Sequence, residues 1–341
     1  MDTFDMLKTL CDARGVSGSE TAVRSAAASL LAPLGPVEVT PLGSLLCHVV
    51  PAADNGPRVL LDAHLDEVGF VVTAIDDAGF VKVAPVGGID KRLLPASQVV
   101  ISGSQPVFGV IGCLPPHLSG MKGYEEIPDI DKLYIDTGYD REALQELVSL
   151  GDRASYRTEL QQLLGSRVSG KSLDDRAGCM VQLLAAAQIK AAAPAGVGVD
   201  LLLSSLEETG EQGAKTGAFG ADYTHAVAVD VSFGMSPGCD ADKCGELGKG
   251  PMIGYSPILD RDMYCTFCAL AQKQGIPYQP EIMGGLTASN ADAIAVSRAG
   301  VRTLLVSVPQ RYMHTPVEVV DLQDIEHTAA LIAAYVSQLA Q

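Results

Sequence analysis

Several hydrocarbon runs in this chain stop abruptly at acids or imidazoles. Val199-Asp200-Leu201-Leu202-Leu203 leads into Ser205-Leu206-Glu207-Glu208-Thr209-Gly210. Arg58-Val59-Leu60-Leu61 leads into Asp62-Ala63-His64-Leu65-Asp66, and His225-Ala226-Val227-Ala228-Val229 ends at Asp230. A short apolar run bounded by turn signals predicts a strand buried on both faces of a parallel sheet. Elsewhere the apolar spacing is helical, over 3–14, 20–34, 177–191, 260–274, 291–299 and 321–339. Ser17-Gly18-Ser19-Glu20 reads as a loop ending in an N-cap for the second of these. Further strands are expected at 37–40, 45–50, 277–282 and 301–308, and a long Gly- and Pro-rich loop at 232–254. The fold class predicted is α/β: a mixed, largely parallel sheet sandwiched by helices.

Residues 71–165 have a different texture. Short alternating runs such as Gly79-Phe80-Val81-Lys82-Val83 and Pro106-Val107-Phe108-Gly109-Val110-Ile111-Gly112 are separated by turn dipeptides. They predict a small β-rich domain inserted into the sheet domain, which is then formed by 1–70 and 166–341.

Open α/β sheets bind ligands beyond the carboxyl ends of their strands, so the polar residues at those ends carry the chemistry. With the helix starts they are His64, Asp66, Asp174, Glu207, Glu208, Asp230 and His314. Each alone reads as a cap, a solvated acid or a satisfied core histidine. Together they form a mixed nitrogen and oxygen set that suits zinc, cobalt or manganese. Two ions about 3.5–4 Å apart need a shared carboxylate and a few private donors, which this set supplies. Adjacent residues of an extended chain point in opposite directions, so Glu207 and Glu208 are expected to divide the work, one holding metal and one handling a proton. His64 and Asp66, two apart, are expected to face the same side.

Composition narrows the classes. With 341 residues, 47% hydrophobic and 19% charged, the chain has material for more than one core. A net charge of −17 argues against nucleic acid and against an anionic membrane surface. Apolar runs are too short to span a bilayer, and MDTFDMLKTL lacks the pattern of a signal peptide. A cytoplasmic location with 8 reduced cysteines is expected.

DAHLDEVGF, SLDDRAG, SLEETGEQGA, AVDVSFG and RYMHTPVEVV resemble, in order and spacing, the motifs of the tetrahedral aminopeptidases. These are glutamyl-aminopeptidase-like dimetal peptidases. The resemblance extends to GVIGCLPPHL and DKLYIDTGYD in the inserted region. It implies a metalloaminopeptidase that releases N-terminal residues from short peptides with two divalent ions per subunit, zinc or cobalt, with manganese also fitting. It implies that His64, Asp174, Glu208, Asp230 and His314 bind metal, with Asp174 bridging. Glu207 would be the general base acting on a metal-bound water, and Asp66 would hold the His64 imidazole. A PDZ-like inserted barrel and a homo-dodecamer built from dimers are implied as well.

The chain departs from the family at Gly284-Gly285-Leu286-Thr287-Ala288-Ser289-Asn290-Ala291-Asp292-Ala293, where Thr-Asp-Ala usually follows the glycines closely. That loop is expected to shape the substrate pocket. Other amidohydrolases on the same scaffold, a deacylase or a deblocking enzyme, and a non-catalytic peptide-binding assembly are the rival readings. Glycosidase chemistry fits poorly, because neighbouring carboxylates do not flank a sugar bond about 5 Å or more apart. Cys239, Cys244, Cys265 and Cys268 are expected to pack as small hydrophobes, a four-thiolate zinc site being the alternative.

Overall fold

The computed structural model describes residues 2–52, 56–119 and 127–340. Among them, eight strands form one mixed sheet. Its order is Val37–Val39, Leu45–Val50, Gly198–Ser204, Arg58–His64, His225–Phe233, Arg302–Gln310, Met252–Tyr255 and Gln279–Ile282. The central four strands are mutually parallel. The apolar runs explain why they are central. Leu61, Ala63, Leu201, Leu203, Val227 and Val229 face one core. Leu60, Leu202, Ala226 and Ala228 alternate with them and face another. Each fully buried Leu or Val stabilises the fold by about 1.5–3 kcal/mol, which only a sheet covered on both sides collects twice per strand.

The first core lies under the helices Leu173–Ala192 and Leu322–Leu339, with Thr3–Asp12, Thr21–Leu31 and Arg261–Gln274 around them. The second lies under Gln212–Phe219 and Asn290–Ala295. Register decides what emerges at the strand ends. Ser204 pairs with His64, and Ala228 pairs with Asp62. Three polar chain ends therefore leave the sheet side by side.

The inserted region is a closed six-stranded barrel formed by Gly69–Ile75, Val81–Val86, Tyr134–Asp136, Pro106–Gly112, Gln98–Ser102 and Arg153–Tyr156. Closure leaves no unpaired edge. Phe70, Val81, Val99, Ile101 and Ile135 are among the side chains that fill it.

Several expectations are corrected. A three-stranded sheet of Gln161–Gln162, Arg167–Gly170 and Glu318–Asp321 is not foreseen by the pattern, because its strands are too short to show periodicity. Glu20 does not cap the helix that follows it; its carboxylate accepts the Gly18 amide at 2.8 Å instead. The stretch 232–254 is not all loop, since Ser232 and Phe233 finish one strand and Met252 starts another. The helix predicted at 291–299 ends at Ala295. Among the described residues no helix is long and apolar enough to cross a membrane.

Candidate active site

The turn after Ser204 shapes the site. Leu206 has φ 61, so the chain is not extended when it reaches the two glutamates. The expectation that Glu207 and Glu208 point apart is therefore overturned. Both reach the same hollow, at different ends of it. Glu207 Oε2 lies 4.0 Å from His64 Nε2, and Glu208 Oε1 lies 3.4 Å from His314 Nε2. The next helix can begin this close only because position 213 is glycine. A Cβ there would sit 2.2 Å from the Ser205 carbonyl oxygen.

Asp66 fixes that turn. Its carboxylate accepts the amides of Glu207 at 3.0 Å and Glu208 at 3.2 Å, and also the Ser17 hydroxyl. The carboxylate is 3.6 Å from His64 Nδ1, whereas the Asp66 main-chain carbonyl is 3.1 Å from it. So the carbonyl, not the carboxylate, makes the close contact with the imidazole. A carbonyl only accepts, which assigns the proton to Nδ1 and leaves the Nε2 lone pair facing the hollow.

Around that lone pair stand Asp174 Oδ1 at 3.0 Å and Asp230 Oδ1 at 4.0 Å. The other oxygen of Asp174 is 3.3 Å from His314 Nε2. Among the described residues two sets of donor atoms gather within 4.8 Å: His64, Asp174 and Asp230, and Asp174, Glu208 and His314. They share Asp174. Asp174 precedes the regular part of its helix, where Asp175 turns inward to accept the His64 amide at 3.2 Å and the Gly178 amide at 2.9 Å.

Electrostatics tell what such a place wants. Burial pushes Glu207 up to about 7, and Glu208 and Asp174 add to that against the opposing pull of His64. Burial also raises Glu208 and lifts Asp230 well above the carboxylate range. Burial would lower both imidazoles, but the carboxylates outweigh it. Asp174 and Asp66 hold His64 well above its ordinary value, and Asp174 and Glu208 take His314 to about 11. Buried acids straining to take up protons, around histidine nitrogens driven to keep theirs, is a donor set short of positive charge. Two divalent cations fit it in number, in sharing and in ligand type.

Glu318 escaped the sequence reading, because Val317-Glu318-Val319-Val320 looks like an ordinary strand. Only 1% of it is exposed. Its Oε1 accepts the His314 amide at 2.9 Å and its Oε2 the Asp174 amide at 3.2 Å. One carboxylate thus holds the backbones of two donors in different segments. Nearby, Glu67 pairs with Lys171 at 2.8 Å, both buried, and accepts the Gly15 amide at 2.7 Å. We expect Glu318→Ala to weaken metal binding by about 10–100-fold, as loss of an orienting partner does. Titration of metal into chelator-stripped protein, with circular dichroism to check the fold, measures this. Unchanged affinity would remove Glu318 from the site.

A cavity of about 420 Å³ opens over these groups, lined by Glu207, Glu208, Asp230 and His314 and by Thr287, Ala288 and Ser289 of the departing loop. The segment that follows the barrel strand Val81–Val86 comes close to Glu208 and His314. A Cβ on Gly87 would lie 3.1 Å from Glu208 Oε2, and one on Gly88 would lie 2.9 Å from His314 Nδ1. The four cysteines do not gather into a metal-binding group among the described residues. Cys265 is exposed rather than packed, because its helix buries Met263, Phe267, Leu270 and Ala271. Cys268 is half-buried beside the Tyr264 and Tyr278 hydroxyls.

An α/β sheet whose parallel strands end in two donor sets sharing Asp174, beneath a cavity, is the arrangement of a metal-dependent hydrolase. Comparison with known proteins gives the family. The profile of the M42 glutamyl aminopeptidases matches residues 43–331, and the chain belongs to that family. It is 30% identical to the lysyl aminopeptidase of Pyrococcus furiosus over 99% of this chain and 98% of that one. It is 28% identical to the glutamyl aminopeptidase of Lactococcus lactis over 99% and 97%. An aminopeptidase structure from Desulfurococcus kamchatkensis superposes with a TM-score of 0.92 at 30% identity, covering 98% of this chain and 94% of that one. The Pyrococcus horikoshii TET1 peptidase, described as assembling into a tetrahedron or a large octahedral shell, gives 0.86 at 31% identity over 98% and 99%. The chain is an aminopeptidase, a hydrolase of peptide bonds, in a metal-dependent family.

Proposed function

We propose that the chain releases N-terminal residues from short peptides with two divalent ions, one at His64, Asp174 and Asp230 and one at Asp174, Glu208 and His314. The sharing of Asp174 between the two donor sets carries this reading. Zinc or cobalt suits the set, and manganese is accommodated. When bound, such ions supply Lewis-acid polarisation of the scissile carbonyl and acidify water. The chain's own part is to aim and to move protons. Glu207 belongs to neither donor set yet lines the cavity, so it acts as the general base, taking a proton from the attacking water and passing it to the leaving amine. Asp66 positions that base through the Glu207 amide and fixes the tautomer of His64 through its carbonyl.

The same reading takes the chain to be a homo-dodecamer built from dimers, with the inserted barrel as an assembly element; the closed shells of the Pyrococcus horikoshii relative support multi-subunit assembly. Eight free thiols support a reducing, cytoplasmic setting.

The deciding experiment uses aminoacyl-anilides and short peptides, each free and N-acetylated, on chelator-stripped protein with zinc, cobalt or manganese added back. Turnover of the free amine only, restored by metal, is the expected result. Equal or better turnover of the acetylated form would make the chain a deacylase or deblocking enzyme.

A further inference from the structure

Glu281 takes no part in the reaction above, yet it stands in the wall of the cavity. Sheet register puts it there. Asp230 pairs with Ser307 of the neighbouring parallel strand, and Ser232, two residues further on, faces the same side as Asp230. Glu281 comes from Gln279–Ile282, the strand at the edge of the sheet. One of its carboxylate oxygens accepts the Ser307 hydroxyl at 2.7 Å, and the other accepts the Ser232 hydroxyl. The carboxylate is thereby fixed beside the strand pair that carries a metal donor.

Those two hydroxyls are its only close partners among the described residues. A carboxylate offers about four acceptor positions, so about two stay free. Burial pushes this carboxyl up, as it does for an acid without a counterion. The described lining of the cavity includes no Lys or Arg, while Phe233, Leu305 and Met313 give it apolar surface. Glu211, another acid of the lining, already lies 3.8 Å from Lys215. Lys243 lines an adjoining hollow of about 700 Å³ that Glu281 also borders, but it pairs with Asp240 at 3.5 Å. The rim of the cavity is fixed in advance. Asp292 accepts the Thr287 amide at 2.9 Å, the Ala288 amide at 3.0 Å and the Thr287 hydroxyl at 2.7 Å.

We propose that Glu281 selects the peptide's first side chain and that the chain prefers N-terminal lysine or arginine, resting on the two-ion reading above, which puts the scissile bond at the donor sets. The methylene stem of a basic residue lies along the apolar surface, and its cationic head takes the free acceptor positions of Glu281. A glutamyl or aspartyl side chain meets like charge there. A neutral aliphatic one fills the stem region but leaves the carboxylate without a partner.

Metal-loaded, full-length protein assayed on lysyl-, arginyl-, norleucyl- and glutamyl-anilides tests this. Norleucine keeps the carbon stem of lysine and lacks only the ammonium. The lysyl and arginyl substrates should exceed the norleucyl one in kcat/KM by about 10–100-fold, as charge-assisted hydrogen bonds do, with the glutamyl substrate poorest. In Glu281→Gln the lysyl-to-norleucyl ratio should fall by about tenfold or more, mostly through KM. In Glu281→Lys the glutamyl substrate should overtake the lysyl one. Norleucyl turnover that equals or exceeds lysyl turnover in the unmutated protein would overturn the proposal and leave the two-ion reading standing. So would a ratio unchanged in Glu281→Gln. Failure to turn over any free amine would overturn both.

Discussion

Glu207→Gln is expected to fold, to keep its metals and to lose about 10²–10⁴-fold in turnover on an aminoacyl-anilide. The geometry separates this residue from the donors around it. Glu207 reaches only to 4.0 Å from His64 Nε2, and neither donor set includes it. Its backbone is held by Asp66, so the substituted side chain stays where the carboxylate was. Glutamine keeps the shape but cannot take up a proton. The loss should therefore appear in kcat with little change in KM, the signature of an interaction made in the transition state alone. Metal content measured by elemental analysis should match the unsubstituted protein. A variant that stays fully active would show the base to be elsewhere.

Asp174→Ala should instead lose metal and activity together. Asp174 spans the hollow, with one oxygen 3.0 Å from His64 Nε2 and the other 3.3 Å from His314 Nε2. It is 6% exposed, so bulk water does not replace it readily. Without it both donor sets fall to two side chains, too few to hold a divalent ion against chelation. Several kcal/mol of transition-state stabilisation go with the ions, which corresponds to about 10³-fold or more in rate. Elemental analysis after dialysis, beside the same anilide assay, distinguishes this from the Glu207 case. Unchanged metal content would contradict the bridging role.

Much of this was legible in the sequence because sheet burial leaves a coarse trace. Leu60 and Leu61, and Leu201, Leu202 and Leu203, announce two strands covered on both faces, and the polar residues after them mark the ligand end. Six of the seven singled-out residues, His64, Asp174, Glu207, Glu208, Asp230 and His314, line one cavity, and Asp66 lies buried behind them. What stayed hidden depends on backbone detail. The left-handed turn at Leu206 has no glycine to signal it, so Glu207 and Glu208 read as extended neighbours. Glu318 takes its role from antiparallel pairing with Gly170, a contact about 150 residues away that no local pattern records. Asp175 reads as a capping acid, yet it is fully buried and grips the His64 amide. Cys265 shows the opposite error, where helical spacing alone did not tell which face was covered.

Gly87 and Gly88 bring the insertion up against Glu208 and His314, which makes it a gasket as well as a handle. Cutting the barrel out would not yield a smaller working enzyme. It would open a window beside one of the two donor sets and let solvent in where the charge is most concentrated. Were copies to assemble through the barrel, Gly87 and Gly88 would be where that contact reaches Glu208 and His314.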